Sequence, residues 1–276
     1  MTTIPAVVPP VPPEKSWDCK LLPAEALRWL ELGWRDLLVQ PATSLLYGFI
    51  VFLISAAIVG GLFAFGLDYI LFPALAGFMV VGPILAIGLY EKSRGVAAGR
   101  RVTLAEMIFV RPASGAQVLF IGVLLCGLML LWMRAAVIIY ALFFGLVAFP
   151  GLDHIAAMLF ATLTGWAMLV VGSLVGALFA ALSFAISALS IPMLLDQKVD
   201  ALTAMGTSVV AVWNNLPALL TWGAIVLGLS LLSLATGLVG LIVVFPLLGH
   251  GTWHAYRTLA PILTDVVQSP EVDAEA

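Results

Sequence analysis

From Leu37 to Leu67 the chain carries no charged side chain, and from Tyr69 to Tyr90 it again carries none, with Asp68 alone between the two runs. A helix that crosses a bilayer needs roughly 20 mostly apolar residues, and in lipid its backbone polar groups must all be satisfied within the segment. Two uncharged runs of this length in succession dictate membrane-spanning helices. The remainder agrees: of 276 residues, 63% are apolar and 10% charged, against roughly a quarter charged in soluble domains. So few charges cannot cover a water-exposed globule, and a soluble fold is excluded. Twelve Lys and Arg, scattered in a chain of net charge -3, build no basic face, which excludes nucleic acid as a partner. Cys19 and Cys126 lie in unlike surroundings and suggest neither a disulfide nor a metal knuckle.

The pattern predicts an all-α, polytopic transmembrane helical bundle of about six spanning helices plus two amphipathic surface helices. The spans are expected near 43–66, 69–90, 114–133, 168–192, 216–234 and 237–256. A single domain should cover 23–260, between a disordered proline-rich tail (1–22) and a disordered acidic tail (261–276). The run 135–167 is too apolar for an ordinary loop. It reads as a continuation of the third span, a re-entrant helix, or two extra spans, and six spans are preferred because no polar turn divides the residues from His154 to Leu195.

With both ends of the chain on one side, eleven of the twelve cations fall on that side, Arg134 being the exception. The positive-inside rule makes that side the cytoplasm, and a bacterial inner membrane with cytoplasmic termini is expected. Arg134 lies far enough past the start of span three to reach the opposite headgroups at about 1.5 Å per residue. Two segments should lie on the inner leaflet. In 24–40, Leu27, Leu30, Trp34, Leu37 and Leu38 recur at helical spacing; in 198–214, Leu202, Met205, Val209 and Trp213 do so. Each opens a block of proline, span, turn and second span, a weak parallel repeat over 24–94 and 198–257. Within it, 80–94 and 243–257 share six of fifteen residues, among them Pro83 with Pro246, Gly88 with Gly251 and Arg94 with Arg257.

The chemistry-bearing residues gather at the inner ends of the spans. The expected polar cluster contains Asp36, Glu91, Arg94, Asp196, Asp200, His250, His254 and Arg257, with Asn214, Asn215 and Tyr256 beside them. Unpaired charge at membrane depth is expensive, so pairs such as Glu91 or Asp196 with an arginine are expected. His250 and His254 are four apart and share a helix face, as metal ligands often do. No third ligand is adjacent, and a structural role is the favoured reading. No span has a central ionisable residue, so no proton path through the membrane is visible. No phosphate-binding loop, zinc-protease, serine-hydrolase or dinucleotide motif occurs. Gly172, Gly176, Ala180 and Ser183 lie close to one face of span four and suit tight helix packing.

The blocks WLELGWRDLLVQPATSLLYG (29–48), GPILAIGLYEKSR (82–94), FAISALSIPMLLDQKVDALTA (184–204) and GHGTWHAYR (249–257) resemble an uncharacterised family of bacterial integral membrane proteins, some of whose members carry a cytochrome c oxidase subunit I label. The resemblance implies a bacterial inner-membrane bundle and brings no established activity. A catalytic haem-copper subunit needs six histidines, and three are present, so catalysis of that kind is excluded while an accessory or assembly role in a respiratory complex stays open. Three readings follow. The first, and favoured, is a non-catalytic accessory or scaffold with lipid and respiratory-complex subunits as partners and no cofactor. The second is a transporter or lipid-handling protein with a cavity near the cytoplasmic side. The third is a metal or haem protein using His250 and His254.

Overall fold

The computed structural model describes residues 19, 21–145 and 151–268. Most of the two predicted tails lies outside these residues. Among them every regular element is helical and no strand occurs.

The chain enters along α1 (Ala24–Val39) and turns at Gln40 into α2 (Pro41–Ala64). Pro41 occupies the first position of α2, where its missing N–H removes no intrahelical bond and its fixed φ starts the new helix. After a turn the chain returns through α3 (Leu71–Leu85) and α4 (Ile87–Ala97), which are offset at Ala86, a few residues past Pro83. A short capped helix, α5 (Leu104–Ile108), closes the charged loop. Thr103 and Glu106 satisfy each other's backbone N–H groups in a capping box. α6 (Gly115–Phe144) crosses again, and α7 (Leu152–Phe160) packs beside the start of α8 (Leu163–Ser187). α8 breaks at Ala188, whose carbonyl sits four residues before Pro192, and resumes as α9 (Ser190–Asp196). α10 (Ala201–Asn214), α11 (Leu216–Ala235) and α12 (Leu241–Gln268) complete the bundle.

Among the described residues, five helical segments are long and apolar enough to cross a membrane: 41–64, 71–97, 115–144, 163–196 and 216–235. The sixth expected span, 237–256, falls on α12, which differs in kind. Its middle is polar, and it is packed against other helices. α1, α2, α4, α9, α10 and α11 all pack on it, and Trp253, Ala255 and Tyr256 are buried. Protein neighbours thus replace the apolar solvent that a spanning helix would otherwise require. The same burial carries α12 to Gln268, past the expected end of the domain at 260, because Leu259, Ala260 and Leu263 belong to the core. At the other end, Cys19 and Leu21 of the expected tail pack against the core, and the Cys19 N–H donates to the Asn215 side chain at 3.1 Å.

The third span is longer than expected. α6 passes through Arg134, whose side chain is exposed on its surface, and ends at Gly145, where a φ of 70° stops the helix. Residues 135–144 are therefore a helix extension, 152–160 a short separate helix, and the eight-span alternative falls away.

α1 and α10 each bury one face, with small residues at the closest approaches, and leave several large apolar residues exposed. Ala26, Trp29, Gly33 and Leu37 of α1 are buried, whereas Leu27, Trp34 and Leu38 are exposed; in α10, Ala204, Ser208 and Ala211 are buried and Leu202 and Trp213 exposed. Gly33 explains the preference. A Cβ there would lie 2.6 Å from Gly251 N and 2.9 Å from Leu247 O, so only a glycine lets α1 come this close to α12. The two repeat-like blocks share their order of elements, but matched residues meet different neighbours. The chain breaks shortly after Pro83 yet runs straight through Pro246, and Gly88 faces α5 while Gly251 faces Trp222 of α11.

Candidate functional site

Helix ends converge at one end of the bundle, with the Ala113 and Ser114 N–H groups before α6 donating to the Leu195 and Leu194 carbonyls of α9. At this end α1 stops at Gln40, leaving its last carbonyls without intrahelical partners. Lys92, on α4, fills that role. Its side chain is wholly buried, and its Nζ donates to Gln40 O at 2.8 Å, to Asp36 O at 3.3 Å and to the Ser44 hydroxyl at 2.6 Å. A lysine has three N–H donors and a helix C-terminus attracts cations, so the ammonium is fully employed.

Beyond Ser44 lies His250, also wholly buried. Its Nε2 is 2.9 Å from Ser44 Oγ, and its Nδ1 is 2.8 Å from Ser93 Oγ. His254, one turn further along α12, places Nε2 2.9 Å from Asp36 Oδ2 and keeps about a fifth of its side chain exposed. Lys92, Ser44, His250 and Ser93 thus form one connected run across α4, α2 and α12, and His254 with Asp36 a second contact, between α12 and α1. Burial alone would raise the Asp36 carboxyl. The hydrogen bond from His254 and the neighbouring Ser93 hydroxyl outweigh it and hold Asp36 below its ordinary value.

The other expected residues form two separate groups. Glu91 pairs with Arg94 one turn away and with Arg100, which also reaches Glu106 at 3.2 Å; Arg94 donates to the Leu195 carbonyl at 2.9 Å, fastening α4 to α9. Asp196 accepts from the Tyr256 hydroxyl at 3.0 Å and lies 3.7 Å from Arg257, while Gln197 donates to that same hydroxyl at 3.0 Å. Asp200 joins none of them. It caps α10, accepting from the Thr203 N–H at 2.9 Å, and that bonding lowers its pKa. Asn214 bonds only within α10, and His154 is exposed on α7.

Lys92, Ser44, Ser93 and Gln40 are absent from the sequence-derived cluster. Lys92 reads as one more cation of the charged loop as long as span two stops at Tyr90. The signal that could have found it is the helical continuation through Ala97, which puts Lys92 one turn after Gly88, on a face already committed to packing. Two shallow, open surface hollows lie away from these side chains. One, of about 450 Å³, lies between Ser114, Gln117, Lys198 and Asp200; the other, of about 370 Å³, lies on the exposed side of α8 around Trp166 and Val170. Among the described residues no three His, Cys, Asp or Glu side chains are grouped as a metal site.

A family model described as a predicted integral membrane protein (DUF2189) matches residues 71–196, a little under half of the chain. The segment covers α3 to α9 and includes Lys92, Ser93, the Glu91 pairs and Asp196. That match supports the family resemblance. The chain is similar to an uncharacterised family of integral membrane proteins. No curated protein and no solved structure matches it significantly.

Proposed function

We propose that the chain is a non-catalytic accessory or assembly component of a membrane complex, in a bacterial inner membrane with its polar end toward the cytoplasm. The observation that carries this reading is how the ionisable groups at that end are used. Lys92 is spent on helix carbonyls, Glu91 and Asp196 on arginines, and Arg94 on a neighbouring helix, so this chemistry joins helices to one another. Such joints suit a rigid platform whose outward features are the exposed apolar residues of α1 and α10, placed to sit on the leaflet. The oxidase label in the resembling family makes a respiratory complex the partner to test first.

Metal or haem ligation by His250 and His254 fits the geometry poorly. Both ring nitrogens of His250 already face serine hydroxyls and Nε2 of His254 faces Asp36, so a metal would have to displace these contacts inside a packed core. Purification in a mild detergent, followed by mass spectrometry of co-purifying chains and an absorption spectrum of the same sample, tests the reading. Stoichiometric oxidase subunits without a chain-bound Soret band are expected. A haem band retained by the isolated chain and lost in His250→Ala, or the chain alone with a transported solute, would replace it.

A further inference from the structure

We propose that the loop between α4 and α6 is a lipid-binding wedge: Ile108 and Phe109 enter the leaflet at this end of the bundle, and Arg101 and Arg111 hold the phosphates of anionic phospholipids beside them. The loop is pinned to the protein at two points. The Val102 N–H donates to the Gln40 side chain at 3.2 Å, and Val102 and Met107 are both buried. Met107 is the deeper anchor. Its carbonyl and the Tyr47 ring close on Gly88 so tightly that no side chain would fit there. Tyr47 lies six positions into α2, roughly 9 Å from its start at 1.5 Å per residue. α5 therefore lies against the flank of the spans, at the depth of the headgroups and the first acyl carbons, and does not cap their ends.

With Val102 and Met107 buried, the other side of the loop is left uncovered. Phe109 is 78% exposed and Ile108 50%, two large apolar side chains that water disfavours and acyl chains accept. Arg101 and Arg111 flank them, and both are exposed. Their charge is unmatched. Arg28 and Arg35 are paired with Glu25 and Glu31, Arg94 and Arg100 with Glu91, and Arg257 with Asp196, whereas among the described residues no carboxylate pairs with Arg101 or Arg111. Glu106, the one acid of the loop, is already held by Arg100 and by the Thr103 N–H. Two unmatched guanidiniums beside an exposed aromatic fit a surface that is apolar below and anionic above. The aliphatic stem of an arginine can follow Phe109 into the interface while its head stays among phosphates, where two N–H groups can bind two oxygens at once. Arg111 precedes Gly115, the start of the spanning α6, by only four positions, so the wedge stands beside a membrane entry point. This contact with lipid stands whether or not the chain serves a larger complex.

Two measurements on the full chain test the wedge. In mild detergent, native mass spectrometry with added dioleoyl phosphatidylglycerol or phosphatidylcholine should show tighter binding of the anionic lipid. Arg101→Gln together with Arg111→Gln should weaken phosphatidylglycerol binding by about 25-fold, roughly fivefold for each arginine, and leave phosphatidylcholine binding unchanged. Arg28→Gln with Arg35→Gln removes the same charge from positions already matched by glutamates and should cost far less. In nanodiscs of the two lipids, a fluorophore on Phe109→Cys, in a background lacking Cys19 and Cys126, should be quenched by phosphatidylcholine brominated on its acyl chains and shielded from aqueous iodide. The same fluorophore on Lys198→Cys, an exposed position at this end, should be open to iodide. Wild-type lipid preference in the Arg101/Arg111 variant, equal losses in the two arginine pairs, or iodide quenching at Phe109 as strong as at Lys198 would each overturn the wedge; the last would mark a surface for a protein partner instead.

Discussion

Lys92 shows how one residue can settle a joint between helices. Lysine is seldom buried completely, and here the burial is possible because a helix ends where the ammonium arrives. Lys92→Met keeps the length and the apolar stem but removes three donors, leaving the Gln40 and Asp36 carbonyls buried without them. The expected loss is about 3 kcal/mol of stability, read as a lower denaturation temperature in detergent; an unchanged midpoint would mean that water replaces the ammonium. Asp36 carries the pH dependence of the same joint. Its folded pKa lies below its ordinary 3.8, so its stabilisation is complete above that value and is lost as pH falls through the lower folded one. Wild-type protein should therefore lose stability more steeply than Asp36→Asn in acid, with parallel curves near neutrality. A thermal-melt series over pH checks the sign.

At the scale of elements, glycines and prolines decide which helices touch. Gly33→Ala would drive a methyl into the backbone of Gly251 and Leu247, atoms that cannot rotate away. It should force α1 off α12 and lower stability by about 2 kcal/mol, whereas Gly172→Ala, with nothing within 4 Å of the new Cβ, should change little. Parallel melts of the two variants distinguish packing at this crossing from a general glycine effect. The elements themselves were largely legible beforehand. Uncharged runs located the apolar spans, Pro41 and Pro217 marked two of their starts, and helical spacing found α1 and α10. What misled was treating a charge as a boundary. Arg134 can reach out from the middle of α6, and Lys92 can fold into a core, because a long cationic side chain ends several ångströms from its own backbone. Hydropathy likewise counted α12 as a span like the others, since a linear pattern does not say whether lipid or another helix covers a given face. Asp36, His250 and His254 could be placed at one end from sequence, but the serines and the lysine that join them come from pairings more than forty residues apart.

For the whole molecule, the distribution of charge becomes a statement about two compartments. The ends of α4, α9 and α12 and the start of α6 are tied together by Arg94, Leu195, Asp196 and Tyr256, so the cations near them share one end of the bundle. Arg134 is nineteen positions after Gly115 along an unbroken helix, which at 1.5 Å per residue places it roughly 30 Å away, about one hydrocarbon thickness. Single cysteines at Arg101, Lys198 and Arg257, in a background lacking Cys19 and Cys126, should react with an impermeant maleimide from the same side of sealed inverted inner-membrane vesicles, and a cysteine at Arg134 only after the vesicles are opened. These four positions are exposed, so reactivity reports sidedness without first having to unpack the core. Labelling of Arg134→Cys together with the other three would place both ends of α6 in one compartment. It would remove the membrane from between them, and with it the reason that the cations near the ends of α4, α9 and α12 lie at one end of the bundle and Arg134 at the other.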